Sequence, residues 1–146
     1  MADGKNPGAA TPTLKQLTPV LIVDEVEPCV KFWTDRLGFD ITNKVPADDG
    51  KLIFASVQLG SIEIMYQTVA SITGDTVASA SDKKAFRLEP QQATLYIEVG
   101  DLGQVESKLR GERQVMPRRK TFYGAAEIGY ADPAGNIVIF SEHAES

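Results

Sequence analysis

Short apolar runs alternate along the chain with polar stretches rich in turn residues, and the alternation happens twice. Val20-Leu21-Ile22-Val23 is a compact, mostly β-branched run, the pattern of a short strand. In DEVEPCVKFWTDRLGF, Cys29, Val30, Trp33 and Leu37 recur at helical spacing. Acidic residues lead this segment, Pro28 falls at an early helical position, and Gly38 follows the last apolar residue. The spacing predicts a helix of about three turns ending at Gly38. Strand patterns follow at Phe39–Val45, Lys51–Leu59 and Ser61–Gln67, separated by PADDG and by Gly60. The order is strand, helix, strand, strand, strand.

From Thr94 the same order returns. Leu95–Val99 has a strand pattern, and Leu102, Val105 and Leu109 lie at helical spacing before Gly111. Gln114–Met116 is a weak strand pattern. Ala125–Ala131 and Ile137–Ser141 are clearer strands, joined by Asp132-Pro133-Ala134-Gly135-Asn136. Thr18 and Thr94 hold equivalent places before the first strands, and Glu63 and Ile139 hold equivalent places in the last. In each pair the second residue comes 76 positions after the first. An equal offset at both ends predicts a duplication of one βαβββ unit. The expected organisation is a mobile tail over residues 1–13 and one domain over 14–146. Module one spans 17–67, a partly helical connector 68–91, and module two 92–142. The connector either links the modules or serves as a lid.

Composition narrows the function. At 146 residues with 42% hydrophobic content the chain is long enough to bury a real core. No apolar run approaches the ~20 residues of a membrane span, and residues 1–13 lack the apolar stretch of a signal peptide. A net charge of −5 argues against general nucleic-acid affinity. The run Arg118-Arg119-Lys120 is read as a solvated loop or, more sharply, as a site for an anionic group. The single cysteine, Cys29, excludes an intrachain disulfide framework and agrees with a cytoplasmic location. On the apolar face of a helix, its reading is a packed thiol. No nucleophile elbow and no phosphate-binding glycine fingerprint is present.

The chain resembles the vicinal oxygen chelate proteins, the glyoxalase, bleomycin-resistance and dioxygenase relatives, over roughly residues 17–142. The phrases that carry the resemblance are KFWTDRLGF and SIEIMY in module one, and LYIEVGDL and TFYGAAEIGYADPAGNIVIF in module two. It implies an α+β fold of two tandem βαβββ modules whose curved sheets surround a cleft. It also implies homodimers, sometimes with a shared cleft. In metal-dependent relatives, ligands come from the first and last strands of each module. Those positions map here onto Thr18, Glu63, Thr94 and Ile139.

Only Glu63 is a good donor. A divalent ion needs several nitrogen or oxygen donors converging on it, and isoleucine offers none. His143 and Glu98 lie four residues from Ile139 and Thr94, roughly 13 Å along a strand, too far to substitute. His143, the sole histidine, is read as an exposed residue near the terminus. The expectation is a protein with no metal cofactor that binds a small organic ligand. The candidate lining is Thr18, Phe54, Glu63, Met65, Thr94, Tyr96, Glu98, Tyr123 and Ile139. Trp33 is assigned to the core. Glu63, with Glu98 as a possible helper, is the candidate for recognising a cationic or hydrogen-bond-donating group. The alternative is a lyase, isomerase or dioxygenase-like enzyme, with Glu63 as base or as part of a displaced metal site. A third reading is an interaction protein with a vestigial cleft.

Overall fold

The computed structural model describes residues 10–76 and 89–144. Module one contains β1 (Val20–Val23), α1 (Val26–Lys31), β2 (Asp40–Pro46), β3 (Leu52–Leu59) and β4 (Ile62–Thr68). A second helix, α2 (Val69–Thr76), opens the connector. Module two contains β5 (Thr94–Glu98), α3 (Leu102–Lys108), β6 (Gln114–Lys120), β7 (Ala125–Ala131) and β8 (Ile137–His143). The rest of the connector, including any lid, and most of the expected tail lie outside the described residues.

Each module forms one four-stranded mixed sheet with the same strand order, β1-β4-β3-β2 and β5-β8-β7-β6. The first and last strands of each module pair in parallel, and the other neighbours are antiparallel. The duplication is therefore structural, but the two parallel ladders are not in the same register. Val20 faces Met65, whereas Tyr96, 76 positions after Val20, faces Ile139 rather than Ser141. This is a slip of two residues, which keeps every side chain on its original face because strand side chains alternate with a period of two.

One core serves both modules. Trp33, Ile64 and Tyr66 from the first and Leu102, Leu109, Ile128 and Val138 from the second are fully or almost fully buried in a single cluster. The helix predicted through Leu37 is α-helical only to Lys31. It then widens into a π-helical turn over Phe32–Arg36, and Gly38, at φ 78°, ends it in the left-handed region. Phe32 and Trp33 both point into the core from this wide turn, with ring centroids 5.3 Å apart at 76°.

A buried polar relay crosses the junction. Trp33 Nε1 donates to Tyr66 Oη (2.8 Å), and Tyr66 Oη donates to Asp132 Oδ2 (2.8 Å). Burial and the neighbouring Asp132 carboxylate push the Tyr66 phenol far above its ordinary range. Asp132 also accepts from the backbone N–H groups of Ala134 and Asn136, so it holds its own turn closed while tying that turn to module one. Arg36 adds a more exposed tie to Glu112 (3.0 Å). Cys29 is buried, and desolvation pushes its thiol up to about 12, as expected of a packed, unreactive group.

Candidate functional site

The four positions mapped as metal ligands do not form a donor set. In module one, Gln16 Nε2 donates to Glu63 Oε1 (2.8 Å) and to Thr18 Oγ1 (3.0 Å), and Ser56 Oγ donates to Glu63 Oε2 (2.5 Å). Glu63 thus sits half-buried with a neutral donor on each oxygen, the internally hydrogen-bonded arrangement. In module two, Thr94 is exposed and faces Ile137, while Ile139 faces Tyr96. Two hydroxyls, one occupied carboxylate and a hydrocarbon do not fit a divalent ion. Among the described residues, no group of three or more His, Cys, Asp or Glu side chains is placed to hold a metal.

The richer chemistry lies in module two, on a residue not singled out from sequence. Glu127, on β7, is 1% exposed. Its Oε2 accepts from Tyr123 Oη (2.7 Å) and Tyr96 Oη (2.9 Å), and its Oε1 accepts from Arg119 Nη2 (3.1 Å). These bonds hold the carboxyl below its ordinary range, Tyr123 contributing most and Tyr96 and Arg119 adding to it, against the opposing effect of burial. The same hydrogen bond pushes the Tyr123 phenol up to about 12. A buried carboxylate needs such compensation, and three donors supply it.

Tyr96 links further groups. Its hydroxyl lies 2.7 Å from Ser141 Oγ and 3.2 Å from His143 Nε2. A phenol has one proton and an ionised carboxylate can only accept, so the Tyr96 proton goes to Glu127. Ser141 and His143 are then donors to the Tyr96 oxygen, which assigns a proton to His143 Nε2. The His143 ring also packs beside Tyr123, with centroids 6.3 Å apart at 32°. Ile139 stands between Tyr96 on β5 and Gly129 on β7, in the same row.

The structure thus gathers three predicted residues, Tyr96, Tyr123 and Ile139, with Glu127, Arg119, Ser141 and His143, and separates them from others. Glu63, Thr18, Met65 and Phe54 belong to the face of sheet one, with Met65 paired to Val20 and Phe54 to Gln67. No described hydrogen bond joins the two groups. Glu98 lies on sheet two, paired with Ser141, and no described hydrogen bond joins it to Glu63. It is exposed and borders a 320 Å³ groove between the modules, walled by Phe39, Ile62, Val105 and Phe140. A second hollow of 460 Å³ lies at the other junction, between Pro28 and Pro133. His143 is exposed, as expected, but partnered rather than free. Arg118 and Arg119 are not in a solvated loop. They lie on β6, Arg118 paired with Glu106 and Arg119 with Glu127, because the strand runs four residues beyond its apolar part.

Paired sheets of this order on a shared core define the glyoxalase-like class of α+β fold. The chain belongs to the Glyoxalase/Bleomycin resistance protein/Dioxygenase superfamily, whose model matches residues 14–140. Comparison with curated proteins finds no match. Among solved structures, TioX from Micromonospora sp. ML1 superimposes with a TM-score of 0.70 at 19% identity, covering 89% of this chain and 99% of that one. A lactoylglutathione lyase from Agrobacterium tumefaciens has a TM-score of 0.65 at 16% identity, with 90% and 96% covered. The bleomycin-binding protein from Streptomyces verticillus, solved with copper(II)-bleomycin, has a TM-score of 0.59 at 25% identity, with 92% and 100% covered. Among the described residues no helix is long and apolar enough to cross a membrane.

Proposed function

We propose that the protein binds a small organic molecule without a metal cofactor, on the sheet faces turned away from the shared core. The donor set carries this reading: Glu63 has both oxygens engaged by neutral donors, and the positions that would complete a coordination shell are two threonines and an isoleucine. The likeness to a protein that binds bleomycin supports the same direction. Tyr96 and Tyr123 offer about half their surface on such a face, the mixture of apolar area and fixed polar groups that suits ligand recognition.

Thermal-shift and calorimetric screening test the proposal. Organic ligands are expected to raise the melting temperature equally with and without EDTA. A divalent ion that stabilises the protein at micromolar concentration would overturn it.

The large exposed apolar residues Leu14, Leu17, Val20 and Phe122 further support a homodimer in which a second copy covers these side chains. Light scattering is expected to give twice the chain mass. The enzymatic alternative gains one specific observation, the His143–Tyr96–Glu127 relay, which could hold a histidine ring in one protonation pattern. Turnover of a glyoxalase-type substrate that is lost in His143→Ala would favour it.

A further inference from the structure

Building on the small-molecule reading, we infer that the outward face of sheet two is a site for a planar aromatic anion. Glu127 has spent its charge inward: two phenols and one guanidinium nitrogen converge on it, and it is shut off from solvent. The groups that organise it are themselves half open. Tyr96 is 51% and Tyr123 53% exposed, and the Arg119 side chain is 58% exposed while its partner Glu127 is at 2%.

Arg119 therefore spans from a buried anion to the surface. Only Nη2 bonds to Glu127, and the guanidinium carries five N–H groups in a rigid plane. The hydrogens on Nε and Nη1 have no partner among the described residues. What this face offers a ligand is thus aromatic surface and a forked donor held in place. Glu98 shares this face, in the row of Ser141 and Glu127, but it stands three strands away from Arg119, roughly 14 Å at ~4.8 Å per strand, so no free carboxylate neighbours the guanidinium. A cationic ligand would meet a guanidinium without compensation. An anion would meet a donor whose orientation is already fixed by its bond to Glu127.

The body of the ligand follows from the surroundings. Ile139 lies between Tyr96 and Gly129, and Gly129 has no side chain to stand above the sheet. A Cβ there would come within 3.0 Å of Met116 Cβ, so glycine lets Met116 lie close against the strand. The floor is low and aliphatic, and the rings of Tyr96, Tyr123 and His143 rise beside it, fixed by the hydrogen bonds to Glu127 and Tyr96. A flat apolar body with a carboxylate or sulfonate at one edge matches floor, rings and fork together.

Calorimetry with 2-naphthoate and its neutral analogue 2-naphthamide tests the inference on the full chain. The wild type is expected to bind naphthoate at least about tenfold more tightly than the amide, the scale of one charge-assisted hydrogen bond. Arg119→Gln keeps an N–H donor for Glu127 and removes the charge, and it is expected to abolish that preference while leaving amide binding within about twofold. Tyr123→Leu is expected to weaken both ligands. Lys120→Gln is the control, since Lys120 pairs beside Ala126 and alternation turns it to the opposite face; it should change neither. Should Arg119→Gln fail to fold, naphthoate must still shift the wild-type Arg119 Nε resonance in NMR.

Equal affinity for acid and amide, an equal loss in Lys120→Gln, or no binding of either probe would overturn the inference. The small-molecule reading would survive any of these if other organic ligands stabilise the protein. It falls separately if only divalent ions do.

Discussion

The two modules share a strand order but use a carboxylate differently. In module one Glu63 stands on the last strand, half-buried, and takes hydrogen bonds from an amide and a hydroxyl. In module two the last-strand position holds Ile139. The carboxylate is Glu127, on the neighbouring strand, fully buried and held by two phenols and an arginine. Duplication thus preserved the scaffold while the chemistry of each face diverged. The lesson is that a carboxylate's partners say more about its role than its exposure does. Neutral partners leave Glu63 a local polar contact, whereas charged and phenolic ones make Glu127 the organiser of its surroundings.

Truncation gives the strongest test of that contrast. Glu127→Ala releases three charge-assisted hydrogen bonds, and urea unfolding is expected to show a loss of about 2–3 kcal/mol, because the half-exposed donors recover part of the cost from water. Glu63→Ala is expected to lose about 1 kcal/mol or less. Equal losses would erase the distinction.

Acid titration should separate the two as well. The Glu127 carboxyl is held below its ordinary value of 4.5 by Tyr123, Tyr96 and Arg119. Its contribution is then complete above 4.5 and disappears as pH falls through the lower folded-state value. Wild-type stability is expected to fall across that window, and Glu127→Gln to show a flatter profile.

At the alkaline end the sign reverses. Tyr123 is raised from 10.0 to about 12, chiefly by its hydrogen bond to Glu127, so its contribution is present below 10.0 and is lost as pH rises towards 12. NMR of tyrosine Cζ should find Tyr123 titrating near 12 in the wild type and closer to 10.0 in Glu127→Gln. The smallest effect is expected from Glu63→Gln, whose amide oxygen still accepts from Gln16 while its NH2 donates to the Ser56 hydroxyl, which can accept in turn. Its unfolding free energy should stay within about 0.5 kcal/mol of wild type.

Much of the architecture was legible in the chain because it is written in local periodicity. The short apolar runs within Leu52–Leu59 and Ala125–Ala131, bounded by turn residues, and the helical spacing of Leu102, Val105 and Leu109 mark their elements without reference to anything distant. Boundaries were less legible. Nothing in Phe32-Trp33-Thr34-Asp35-Arg36 announces a π-helical turn, since it is the demand for both rings in the core that widens the helix. The end of β6 was missed because Arg118, Arg119 and Lys120 are polar, and only pairing with β7 makes them a strand.

By itself the sequence determined a duplicated βαβββ chain, the packing roles of Trp33 and Cys29, and the poverty of the four mapped metal positions. The first two follow from residue type and spacing, the third from the residue types at positions that the family resemblance supplies. Only the tertiary structure decided that Glu127, Tyr96, Tyr123, Arg119, Ser141 and His143 form one network, and that Glu63 stands outside it. The physical reason is that hydrogen bonds between strands depend on register, and register is a property of the assembled sheet. The two-residue slip between the parallel ladders leaves side-chain alternation untouched, so no periodicity reveals it. Yet it sets Tyr96 against Ile139, within reach of a carboxylate 31 residues further along the chain.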